Sequence, residues 1–158
     1  MKNPLSTTKD VADSRDVIEY KQHLEEEILN AYVEWAESHN DHCEEGQEIE
    51  VPESYEEIEF VDEEAFTETC PDLSREYEAI RDFCDECDGY GGFEHGEALI
   101  RRSYFQEYCE ELCEEIGEIP KDLPSYIVNN IDWEGVADDL EVDYMTVDYD
   151  GQEFLMRA

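Results

Sequence analysis

Apolar residues in this chain recur mostly with the period of a helix. In "DSRDVIEYKQHLEEEILNAYVEWAESHN", residues 13–40, Val17, Leu24, Ile28, Ala31 and Trp35 fall on one side, with Tyr20 and Tyr32 beside them. Asp13 or Ser14 can cap the first turn and Asp16 sits inside it, so the spacing predicts a long helix. Its other side carries Glu19, Glu26, Glu27, Glu34 and Glu37.

Further elements follow by the same reading. "PDLSREYEAIRDFCDEC" starts with Pro71, which suits a first turn, and places Leu73, Tyr77, Ile80, Cys84 and Cys87 on one stripe. That helix is expected to fold back on the first as a hairpin. "DGYGG" breaks it, "EALIRR" reads as a short strand, and "SYFQEYCEELCEEIG" reads as a third helix ending at Gly117. The third helix has Phe105, Tyr108, Cys109, Leu112 and Ile116 as its expected inward stripe. A short helix near "SYIVNN" and another over "DWEGVADDL", capped by Asp132, precede "YMTVDYDGQEFLM". That last stretch predicts a β-hairpin turning at Asp150-Gly151. Residues 1–12 carry no pattern and are expected to form a disordered tail. Residues 40–70 mix loop with weak alternation in "EIEV" and "IEFVD". The expected class is therefore α+β: a mainly helical region over 13–92, holding the helical hairpin, and a small mixed α/β region over 93–158.

Composition changes the picture in one respect. Apolar residues make up 40% and aromatics 11%, enough for a folded core, yet 47 Asp and Glu face only 10 Lys and Arg. The formal charge of −37 excludes ordinary nucleic-acid binding, which needs cations to neutralise phosphates, and argues against an anionic membrane surface. No apolar run is long enough to span a bilayer and no signal-peptide pattern opens the chain, so a cytoplasmic location with reduced cysteines is expected. Duplex DNA carries one charge per ~1.7 Å of axis, so a charge of this size matches about 60 Å of duplex. An acidic, elongated surface is expected.

Candidate chemistry adds little. Cys84, Cys87, Cys109 and Cys113 have the spacing C-x2-C-x21-C-x3-C, which could hold zinc, but three of them fall on apolar stripes where a thiol packs as a small hydrophobe. The packing reading is preferred over the zinc and redox readings, and no cofactor is expected. His39, His42 and Cys43 lie close together without a complete ligand set. The Asp148–Gly151 stretch resembles a calcium loop, but Thr146 and Arg157 occupy the positions where ligands belong. No nucleophile, phosphate-loop or zinc-protease motif occurs, and carboxylate pairs are too numerous to single out an acid-base site, so no catalytic residue is expected.

The acidic faces remain. Glutamates three or four apart on a helix repel one another, and the third helix carries Glu107, Glu110, Glu111, Glu114 and Glu115 with no cation between Arg102 and Lys121. Together with Glu26, Glu27, Glu34 and Glu37 on the first helix and Asp138, Asp139 and Glu141 on the fifth, these carboxylates are the expected partner-binding set, standing in for phosphates. Residues 114–144, "EEIGEIPKDLPSYIVNNIDWEGVADDLEVDY", resemble the C-terminal part of the ArdA antirestriction proteins, in the Gly117-x-Ile119-Pro120 turn, in Leu123 and Tyr126-Ile127, and in the W-E-x-V-A-x-D-L helix. The resemblance implies a DNA mimic of phage or mobile-element origin that occupies the DNA site of a type I restriction-modification enzyme; a CRISPR effector is an alternative target. A homodimer is compatible with that reading. The competing readings are an acidic adaptor that holds a basic protein without competing with DNA, a small zinc-binding module, and adaptation to high salt.

Overall fold

The structure, a computed structural model, describes residues 1–58 and 70–158. Four short strands form one antiparallel sheet: β1 (Val11–Asp13), β2 (Ala98–Arg101), β3 (Tyr144–Tyr149) and β4 (Gln152–Arg157), in the order β1-β2-β4-β3. The α-helices among the described residues are α1 (Ser14–Asn40), α2 (Pro71–Cys87), α3 (Phe105–Glu115), α4 (Ser125–Val128) and α5 (Trp133–Glu141). The class is α+β, as the periodicity predicts.

Alternation along the strands divides the interior into two. Leu99, Val147, Tyr149, Phe154 and Met156 point to one face and join the apolar stripes of α1 and α2, from Val17 to Ala36 and from Tyr77 to Cys87. Ile100 and Leu155, each one residue out of step, point to the other face and meet Phe105, Cys109 and Ala137. The sheet is thus sandwiched: α1 and α2 cover one face, α3 and α5 the other. The expected helical region packs on a sheet drawn mainly from the expected α+β region, and β1, with Val11 and Ala12 from the expected tail and Asp13 from the helical region, pairs with β2, Val11 opposite Ile100.

Local chemistry accounts for the element ends. Asp13 caps α1, accepting from Arg15 N at 2.9 Å, and its carboxylate is gripped by the Arg15 guanidinium at 2.6 and 3.0 Å. That guanidinium holds the Asp13 carboxyl below its ordinary range, chiefly through the side-chain hydrogen bond. Asp132 caps α5 through Gly135 N. Asp150 and Gly151 both have positive φ, 50° and 77°, the conformation that a two-residue type I′ turn between twisted strands requires. Asp148, the carboxylate of the calcium-like stretch, is used inside this turn and accepts from Gly151 N at 3.0 Å.

Two expectations are corrected. Residues 1–12 are not a disordered tail. Leu5 is buried in the α1–α2 core, Asn3 donates to Tyr149 and Glu76, and Arg101 reaches across to the carbonyls of Leu5, Thr7 and Lys9. Arg101 also lies over the Phe154 ring, 5.3 Å from its centre, and hydrogen bonds to Gln152. Ile116 is not an inward residue, because α3 stops at Glu115 and leaves it exposed. The "EIEV" alternation forms no strand; most of the "IEFVD" stretch lies outside the described residues.

Candidate acidic interface

α3 shows how the sequence makes an acidic face. Phe105, Cys109 and Cys113 are buried, the first two against the sheet and α5, with Phe105 edge-on to Tyr144 at 4.9 Å. A helix anchored on that stripe turns the intervening positions outward, and Glu107, Glu111, Glu114 and Glu115 are exposed while Glu110 is half-buried. α5 packs beside α3 through Ala137 and Leu140, and its Asp138 and Asp139 are exposed. The two acidic helices therefore form one layer.

The predicted carboxylates do not all belong to that layer. Glu26, Glu27, Glu34 and Glu37 are exposed as expected, but α1 lies on the opposite face of the sheet. The set is split between two outer layers rather than gathered on one ridge. Glu141 is withdrawn from it: Arg102 holds its carboxylate at 2.6 Å and also approaches Glu153 at 3.5 Å. Glu111 is engaged too, since its hydrogen bond with the Tyr104 hydroxyl pushes that tyrosine's pKa up.

Cations distinguish the layers. On the α1–α2 side, Lys21 pairs with Glu25, Arg75 with Asp72 and Arg81 with Asp82, so negative charge is partly compensated. Along the other layer the sequence has Lys121 as the sole Lys or Arg between Arg102 and Arg157. Sequence reasoning overlooked the exposed Glu78, Asp82, Asp85 and Glu86 of α2, although their places between stripe residues Tyr77, Ile80, Cys84 and Cys87 made them legible.

The cysteine set does not converge. Cys84 and Cys87 belong to the α1–α2 core, whereas Cys109 and Cys113 lie on α3 across the sheet. Burial pushes the thiols of Cys84 and Cys109 up to about 11 and that of Cys87 to about 12, as packing among apolar neighbours does. Among the described residues no cluster of three or more His, Cys, Asp or Glu could hold a metal ion. His42 is turned to the carbonyl of Ser38 and His39 lies beside Trp35. No helix among the described residues is long and apolar enough to cross a membrane.

No family model matches the chain, and no curated protein or solved structure matches it either.

Proposed function

We propose that the protein is an inhibitor that occupies the DNA-binding site of a host defence enzyme by presenting carboxylates where that enzyme expects phosphates. The observation that carries this reading is the α3–α5 layer, where Glu107, Glu111, Glu114, Glu115, Asp138 and Asp139 stand exposed with few cations among them. A basic channel built to release counterions from a phosphate lattice gains the same attraction from fixed carboxylates, and association is steered by the field. The likeness of residues 114–144 to the ArdA proteins supports a type I restriction-modification enzyme as the first target to examine, with a CRISPR effector as the second. The role is non-catalytic, and the carboxylates act together, so no single one is indispensable.

The test is displacement of labelled duplex DNA from a purified type I enzyme and, in parallel, from a CRISPR effector. The protein should displace DNA from at least one of them, more weakly as salt rises. The variant E107Q/E110Q/E111Q/E114Q/E115Q should lose most of that capacity, while each single Glu→Gln change leaves it within about fivefold, since one exposed charge pair is worth only ~0.2–1 kcal/mol. Binding without displacement would replace this reading with that of an acidic adaptor.

A further inference from the structure

A surface that only imitated DNA would bind through charge alone, yet the acidic layer carries apolar residues that stand exposed among the described residues. The connector between α3 and α5 exposes Ile116 by 59%, Tyr126 by 71% and Ile127 by 42%. It includes α4, none of whose four residues is buried. The connector is nonetheless tied into a series of turns by its own hydrogen bonds. Ile119 N donates to Cys113 O, Leu123 N to Pro120 O, Ile127 N to Pro124 O and Asn129 N to Ser125 O, and the Asn130 amide returns to Tyr126 O. Exposed apolar side chains on a preordered backbone are what a partner can dock on without first ordering the segment.

We propose that this connector is an apolar anchor point for the basic surface of the target enzyme, Tyr126 and Ile127 entering a pocket beside the cationic groups that the carboxylates engage. The inference rests on the proposed inhibitor role and deepens it. Charge complementarity selects this occupant. Glu114, Glu115, Glu118 and Asp122 stand around the connector against Lys121, so a second copy of the chain would bring the same sign to the contact, while a DNA-handling protein brings the opposite one. Division of labour follows: carboxylates speed encounter, and a buried aromatic anchor slows departure.

The experiment compares wild-type protein with Y126S/I127S and, separately, I116S, binding to immobilised type I restriction-modification enzyme at low and high salt. Poly-L-lysine serves as a purely electrostatic probe, and urea midpoints of the free proteins establish that the variants fold. The double variant should dissociate from the enzyme about tenfold faster, at both salt concentrations, with an unchanged association rate and unchanged poly-L-lysine binding. Equal dissociation rates, with DNA displacement intact, overturn the anchor and leave the inhibitor role standing. Failure of the wild-type protein to bind the enzyme at all overturns both. Sedimentation showing a wild-type dimer that Y126S/I127S abolishes would assign the patch to a second copy and so also overturn the anchor.

Discussion

Ser14 is fully buried at the start of α1, and both sides of its hydroxyl are used: it donates to Phe93 O at 2.6 Å and accepts from Glu97 N at 2.8 Å. One oxygen therefore fastens the first turn of the long helix to the loop that leads into β2. Replacing it with alanine leaves a carbonyl and an amide without these partners, at a cost of about 1–3 kcal/mol. Urea denaturation of Ser14→Ala should show a lower midpoint with an unchanged slope; an unchanged midpoint would mean that neither group depends on the hydroxyl. This contact was not legible in the sequence, which offers Ser14 only as a helix cap, the role that Asp13 takes. The same holds for Asn3, Leu5 and Arg101. Each acts on residues tens of positions away, and no local pattern encodes such a partner. The pairing of Glu141 with Arg102 was hidden for the same reason, because it spans 39 positions.

Elements with strong periodicity were legible almost to the residue. Asp13, Pro71, Asp132 and Asp150-Gly151 mark their boundaries because capping, helix initiation and tight turns depend on chemistry within three or four residues. β1 escaped notice because three residues cannot show an alternation, and it is a strand only through its pairing with β2. The splitting of the acidic helices between two layers escaped as well, since a helical stripe says that a face is buried but not against what. α3 carries an energetic signature of its own. Glu107–Glu111, Glu110–Glu114 and Glu111–Glu115 are like-charge pairs at i,i+4, each destabilising by ~0.2–0.5 kcal/mol. The charge-cleared variant of α3 should therefore be more stable than the parent, by about 1 kcal/mol at low ionic strength and less in high salt. Thermal melts at two salt concentrations measure this. A variant that loses DNA displacement while gaining stability separates function from fold, whereas a loss of stability would mean that these carboxylates serve the fold.

At the scale of the whole molecule, two effects set the pH range of the fold. Charge repulsion acts on every outer face, since the chain carries a formal −37. Added salt should raise the melting temperature by screening it. The interior imposes an alkaline limit. Burial pushes Cys84 and Cys109 up to about 11, Cys87 and Tyr144 up to about 12, and Tyr20 and Tyr77 higher still, the last two aided by carboxylate or tyrosine neighbours. Each group is held neutral in the fold and ionises more readily in the unfolded chain, near 8.5–9 for a thiol and about 10 for a phenol. Above those values the unfolded state holds fewer protons, so stability falls with rising pH and continues to fall through the folded-state values. Below about pH 8 all of these groups are protonated in both states and contribute no slope. The urea midpoint should therefore show no contribution from them between pH 7 and 8 and decline steeply from about pH 9 upward. The decline should survive in 0.5 M salt, because it arises from desolvated groups and not from the screened outer charge. A decline abolished by salt would assign the alkaline limit to surface repulsion instead.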